Sequence, residues 1–460
     1  MTLSAPLLAL LRAQAPTIQR FCTLTLPADA GGLMRVSDQG TLDADGNWYE
    51  PRVPPGGWGD LFPQLSGRGG DLQALTTTVQ FRDIEDRTIS PTAIPQSTGP
   101  LGRGIKLAQC YRAPAQIVIG GVGLASSDYY TAFTGVVEKW TRADHATFTL
   151  SFRTDDAALT KPVPHRKFSP IEWPLAFRPP KESAAGGGSV FDQYEPLVMG
   201  RCDSTGLGNS GLRRTYYADT VRGWYIVSLG AIGATGFRVF KNNVEDVTAA
   251  WTRINPGVAG RTWTAVEWPG LTPEDVITVD CQGIDLGSYG TYTNPANQLR
   301  FVLENMVWRD WNGTAASIAA PTHTDTTSFT ALASDLGSYE SAPIIGGNEV
   351  TGQELLRQFL EGKGVQAWWT EAGKIGVVMW KTLASGSPYV SDPYIMQATD
   401  VLGPLQLLEP TLVAPLDGLA VSYLSGPDGT AQANLSVFHP RRITSQPQSL
   451  DNRWGPGRAA

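Results

Sequence analysis

Residues 129–155, YYTAFTGVVEKWTRADHATFTLSFRTD, constrain the fold more than any other stretch. In the second half Phe148, Leu150 and Phe152 alternate with Thr147, Thr149, Ser151 and Arg153. That period of two marks a strand with one buried and one wet face. The first half, residues 130–140, is aromatic and β-branched, and a polar stretch at 141–146 separates the two. The pattern predicts a long antiparallel hairpin with a polar tip. A lone hairpin is marginal in water, so this one must belong to a larger sheet.

A chain of 460 residues has room for about three domains at ~150 residues each. A hydrophobic share of 42% supplies material for real cores. Charged residues are sparse at 17%, whereas Gly 50, Pro 33 and Trp 14 are plentiful. That balance suits short strands joined by turns, and surfaces covered by partners. The net charge of -7 argues against nucleic acid as a bound ligand, because phosphate contacts need a basic footprint. It still permits DNA to pass without sticking. Cys22, Cys110, Cys202 and Cys281 form no CxxC pair, which speaks against zinc or iron–sulfur ligation. They read as four buried thiols rather than two disulfides. No apolar run approaches the ~20 residues of a membrane span. The apolar run at 6–11 lacks the positive flank of a signal peptide. It reads as a short helix capped by Ser4, with Leu7, Leu8, Leu10 and Leu11 on the first sheet.

The fold class expected is mainly β with a small α+β part, in several domains. Residues 1–160 make an N-terminal β domain, with strands at 21–26, 74–81 and 116–119 and a turn at 43–47 before Trp48 and Tyr49. An extended Pro/Gly-punctuated segment occupies 94–106. Residues 161–205 are a Pro/Gly-rich strap, where the six prolines from 162 to 180 forbid regular ladders and Phe168, Ile171, Trp173 and Phe177 are apolar anchors for another surface. Residues 206–293 return to strands and form a second β domain. Residues 294–385 are a small α+β unit. Its helices are one capped by Asn294 with Pro295 in the first turn, one from Ser328 to Gly337, and one opened by a capping box at Thr351 and Glu354. A hairpin at 365–380 follows. Residues 386–437 are β again, returning to complete a tube-like domain, and 438–460 form a C-terminal arm.

Chemical motifs fail on inspection. Gly347-Asn-Glu-Val-Thr-Gly352 has phosphate-loop glycines, but Gln353 and Glu354 stand where Lys and Ser/Thr are required. The glycines at 230, 233 and 236 have the wrong spacing for a dinucleotide turn and precede a strand. His323 and Asp325 have no third ligand nearby in sequence, and no G-x-S-x-G appears. No enzyme is expected, and no catalytic residue, cofactor or metal is assigned.

Thr131-Ala-Phe-Thr-Gly-Val-Val-Glu138 resembles a strand motif of tail hub and distal-tail proteins of bacteriophages and gene transfer agents. In that family a segment like 72–81 and a loop like 100–105 precede the motif, and a strand like 149–152 follows it. The turn at 45–49, the connector residues 168–174 and 195–200, the helix after Asn294 and the late hairpin at 370–376 extend the likeness to about residue 424. Some relatives carry a cysteine cluster for an iron–sulfur centre near the C-terminus. Here no cysteine follows Cys281, so that cofactor is not expected.

The resemblance implies a structural protein of a virion tail tip, made in the host cytoplasm. In the family, three copies with two tube-like domains each close a pseudo-sixfold baseplate hub ring that satisfies sheet edges left open in one copy. Partners would be further copies of itself, the distal tail protein, the tape-measure protein and a central tip or fibre, with DNA only in transit and no membrane span. A hexameric distal-tail ring and a receptor- or glycan-binding tail module stay open as alternatives. Residues assigned to structure or assembly are Phe133, Gly135, Trp140, Trp173, Pro174, Gly200, Arg441 and Arg442. Gly135 is expected where backbones approach closely.

Overall fold

The alternating residues of the opening hairpin lie in an eight-stranded sheet, on the strand next to one end of its order. In a computed structural model the residues described are 4–11, 18–26, 33–59, 72–82, 110–121, 124–142, 147–176, 190–202, 213–271, 275–314, 322–379, 418–425 and 431–438, with breaks at 44, 73, 249, 338, 342–343, 348 and 361–364. The fold is mainly β, with several sheets and a few helices. The first sheet contains β1 (Ile18–Thr25), β2 (Leu33–Ser37), β3 (Thr41–Leu42), β4 (Trp48–Pro51), β5 (Thr76–Arg82), β6 (Pro114–Gly121), β7 (Tyr130–Arg142) and β8 (Thr147–Arg153). Their order across the sheet is β3-β4-β2-β1-β6-β7-β8-β5. Register puts the apolar positions on one face: Cys22 opposite Ile117, Ile117 opposite Phe133, Val137 opposite Phe152, and Leu150 opposite Val79. All of these are buried. Phe133 packs against Phe152 with ring centroids 6.2 Å apart.

Both ends of this sheet are joined within the chain. Residues 52–59 continue from β4 and bond along the outer edge of β5: Arg82 N–H donates to the Arg52 carbonyl, Gln80 N–H to Gly57, and Gly59 N–H to Thr78. At its start the same segment is tied to β2, where Val53 N–H donates to the Ser37 carbonyl. The sheet therefore curls closed through hydrogen bonds within the chain. The turn before β4 forms as predicted, with Asp43 Oδ1 accepting from the Asp45 and Asn47 N–H groups at 3.0 and 2.7 Å.

Two expected elements differ in extent. The strand placed at 116–119 runs over eight residues, because Gly120 and Gly121 pair with Gln19 and Ile18 instead of turning. The Tyr129 ring lies over Gly120 and fills the space a side chain would need. Helix α1 (Ala5–Leu11) is capped by Ser4, whose Oγ accepts from Leu7 N–H at 3.3 Å. Only Leu7 is buried there, while Leu11 is exposed, so the helix rests on the sheet by one leucine rather than four.

The second β region is a sandwich. Its strands are β10 (Arg201–Cys202), β11 (Arg213–Arg214), β12 (Tyr216–Asp219), β13 (Trp224–Leu229), β14 (Arg238–Lys241), β15 (Val244–Glu245), β16 (Thr252–Ile254), β17 (Gly257–Val258), β18 (Arg261–Glu267) and β19 (Ile277–Gln282); β9 (Tyr194–Val198) precedes them. One sheet has the order β10-β19-β14-β15 with β11 on β19, and the other β12-β13-β18-β16 with β17 on β18. Tyr225, Val227 and Val266 from one sheet share a core with Val239, Val279 and Cys281 from the other. The opposite face of the second sheet, with Ile226, Leu229, Trp263 and Ala265, lies under Phe168, Trp173 and Val190 of the strap. Covered on both faces, β13 is buried along nearly its whole length.

The strap is less irregular than its prolines imply. Residues 194–198 form β9, wholly buried and antiparallel to β20 (Ile344–Gly347), and residues 201–202 join the sandwich as β10. Pro196 is tolerated because the partner strand bulges between Ile345 and Gly347, with Gly346 at φ +104°.

Helix α2 (Pro295–Val302) is capped by Asn294, whose side chain accepts from Ala296 N–H, and a single π-turn at 303–307 continues it. Leu299, Val302, Leu303 and Met306 are buried as the spacing predicts. The next helix, α3 (Thr326–Leu336), starts two residues before Ser328, because the Asp325 carboxylate accepts from Ser328 N–H and is the actual cap. The helix α4 (Gly352–Leu360) takes half of the expected box. Thr351 Oγ1 accepts from Glu354 N–H, while the Glu354 carboxylate accepts from Arg357 and Gln358. Strands β21 (Val365–Trp369) and β22 (Ile375–Met379) form the predicted hairpin, and β23 (Gly418–Ser425) and β24 (Ala431–Phe438) pair with each other. The first sheet, the sandwich and the helical part share one continuous core. The extended segment at 94–106, Phe177 and the arm at 439–460 lie outside the described residues.

Candidate assembly surface

The assigned positions do not converge on one pocket. Phe133 and Gly135 are on β7 in the wall of the first sheet, and a Cβ at Gly135 would stand 2.7 Å from Phe133 Cζ and closer still to the Arg153 carbonyl. Trp140 is 40% exposed near the far end of β7. Gly200, at φ +72°, turns the chain between β9 and β10, and its carbonyl accepts from Gly283 N–H. Arg441 and Arg442 lie outside the described residues.

Trp173 and Pro174 belong to the strap, which has an inner and an outer side. The strap turns at 169–173, where Ser169 accepts from Trp173 N–H at its carbonyl (2.9 Å) and from Ile171 N–H at its hydroxyl (3.2 Å). The turn sends Phe168 and Trp173 inward onto Trp263, with ring centroids 5.7 and 5.5 Å away. It sends Ile171 outward at 91% exposure, with Pro174 and Leu175 also on the exposed side. The Leu175 carbonyl accepts from both the N–H and the Oγ1 of Thr220, at 2.9 and 3.0 Å. That contact places Val221, 74% exposed, beside Leu175. Arg222 borders the patch with its guanidinium 4.7 Å over the Trp224 ring. Isolated exposed apolar residues are ordinary; here Ile171 and Val221 stand bare on two turns that the Thr220–Leu175 contact joins. Ile171 was legible as an anchor, but its direction was not. Val221 carried no signal in sequence, because only the Thr220–Leu175 contact makes it part of the patch.

Beneath the strap lies a charge cluster. Arg261, on β18 and 4% exposed, donates from Nη1 to Glu195 Oε2 at 2.6 Å and to the Trp311 carbonyl at 3.2 Å, and from Nη2 to Asp310. Arg166 pairs with Glu172 and stands 4.0 Å from Asp310. Burial pushes the Glu195 carboxyl up to about 7, while Arg261 and Arg166 pull in the opposite direction. A carboxyl near neutrality is a common feature of acid–base sites. Glu195 is fully buried, however, so no substrate atom can reach it. The cluster fastens the strap, β9, β18 and the loop after α2 together.

Elsewhere, the imidazole of His323 stacks on Trp308 at 4.5 Å, and its backbone N–H donates to Glu304 Oε1 at 2.9 Å. Among the described residues no three His, Cys, Asp or Glu side chains are placed to hold a metal ion. Among the same residues no helix is long and apolar enough to cross a membrane.

No protein-family profile and no curated protein matches the chain. Among solved structures, a chain described as "Virion of native gene transfer agent (GTA) particle" is similar at 15% identity with a TM-score of 0.25, over 70% of this chain and 99% of that one. An overlap that loose carries no argument about fold or function.

Proposed function

We propose that the protein is a structural subunit of a phage-like tail tip, in which three copies close a baseplate hub ring that continues the tail tube. The observation that carries the reading is the outer side of the strap, where Ile171 stands bare on a turn held from beneath by Trp173 and Trp263, together with Val221, bare on the neighbouring turn between β12 and β13 that Thr220 ties to Leu175. An apolar patch bordered by one arginine, on a chain poor in charge, is what a permanent neighbour would cover. The motif Thr131-Ala-Phe-Thr-Gly135 supports the tail-protein assignment by resemblance, and it lies on β7 in the closed sheet. Distal tail, tape-measure and central tip or fibre proteins are the partners this role requires, and the virion tail tip is its location.

Electron microscopy of the purified full chain tests the proposal. Rings with threefold symmetry and a pseudo-sixfold inner wall are expected. Six equivalent subunits would transfer the assignment to a distal-tail ring. A chain that stays monomeric at high concentration, alone and with the candidate tail partners, would remove the hub reading.

A further inference from the structure

The notable juxtaposition is at the inner end of the strap. Cys202 on β10 and Cys281 on β19 are direct register partners in an antiparallel pair. Both are buried and both are free thiols. Residues directly opposite each other in such a pair have Cα atoms about 4.5–5.5 Å apart, inside the ~4.4–6.8 Å that a disulfide spans. The approach of the two strands is fixed by two glycines. Gly200 turns with φ +72° and accepts from Gly283 N–H, and any side chain at Gly283 would collide with the backbone of Met199. Cys22, by contrast, faces Val36 and Ile117 across its ladder, and Cys110 lies in a turn.

Arg213 supplies a second observation. It sits on β11, paired with Val279 two residues from Cys281, and it is buried. Its Nε is 3.5 Å from the Val227 carbonyl, and among the described residues its Nη2 has no hydrogen-bond partner. Its charge favours the thiolate at both cysteines, and Asp280 opposes it. Burial dominates, holding Cys202 up to about 11 and Cys281 well above the ordinary thiol range. The two thiols therefore stay protonated and inert at neutral pH until the strands open locally beside the guanidinium.

We propose that Cys202 and Cys281 form a disulfide site that fastens the strap to the sandwich when the chain meets an oxidising medium. A small-molecule disulfide is the oxidant. One cysteine thiolate attacks it, forming a mixed disulfide and releasing one small thiol. The second thiolate then attacks the protein sulfur and expels the other small thiol. Two protein thiols are oxidised to one disulfide while the oxidant is reduced to two thiols, and the protons pass to those products.

The test uses the full chain incubated with oxidised glutathione, both in buffer and at a urea concentration below the unfolding transition, then denatured and alkylated for mass spectrometry. The expected result is loss of two of the four alkylatable thiols, a linked peptide joining residues 202 and 281, and a higher thermal midpoint, all reversed by dithiothreitol. Cys202→Ser and Cys281→Ala, each checked for wild-type circular dichroism, should abolish the link and the midpoint rise. Four alkylatable thiols under both conditions, or a link through Cys22 or Cys110, would overturn the site. A chain linked as expected that melts earlier than the reduced form would overturn the fastening role.

Discussion

At the scale of single residues, Gly135 and Arg261 concentrate the most consequence in the fewest atoms. Gly135→Val would drive a branched side chain into the Arg153 carbonyl and the Phe133 ring, where β7 and β8 are already in register. The cost should exceed about 3 kcal/mol, typical of overpacking a site that cannot move, and should appear as insoluble or partly unfolded chain by near-UV circular dichroism. Arg261→Met leaves Glu195 buried without its nearest cation and should cost about 3–5 kcal/mol at pH 8 in urea unfolding. The sign of the pH effect follows from Glu195. Its carboxyl titrates near 7 when folded against an ordinary 4.5, so between those values the folded chain holds a proton that the unfolded chain has released. Its contribution to stability is full below about pH 4.5 and is lost as pH rises through 7. Arg261→Met should thus be milder at pH 5 than at pH 8, and Glu195→Gln should flatten this part of the wild-type pH profile. Gly135 was legible because glycine weakens a strand interior, and inside a β-branched run it marks a close backbone approach. The Glu195–Arg261 pair was not, since its partners come from four segments that only tertiary packing brings together.

At the scale of elements, local patterns specified strands well where one face is wet and poorly where both are covered. The hairpin of β7 and β8, the helix after Asn294 and the hairpin of β21 and β22 follow from period and capping alone. The strand β9 did not, because Pro196 conceals it and its partner β20 comes from the other side of the sandwich in sequence. Helix α3 starts at Thr326, ahead of the expected Ser328, because the Asp325 carboxylate caps it. The strap's two-sidedness gives a prediction at this scale. Ile171→Asp combined with Val221→Asp should leave the urea midpoint within about 0.5 kcal/mol of wild type, since both positions are solvent-exposed in the single chain. It should abolish ring formation by electron microscopy and shift the chain to a monomer in analytical ultracentrifugation. Trp173→Ala, by contrast, removes an aromatic packed on Trp263 and Phe168 and should cost about 3–5 kcal/mol.

At the scale of the whole molecule, three regions that read as separate units in sequence prove to share one core, joined by the strap and by the turn after β21. Gly373 in that turn packs against Thr134 of β7, so the late hairpin braces the wall in which the opening hairpin sits. Composition anticipated covered surfaces, but not that the first sheet would be sealed from within by residues 52–59. Its sealing changes how copies can hold one another. Neighbours that share no main-chain ladder at β5 meet there through side chains alone, and those contacts can part without melting that strand. An assembled ring would then trade members while each stays folded. Rings of isotopically heavy and light chains, mixed after assembly, should scramble in native mass spectrometry at temperatures well below unfolding.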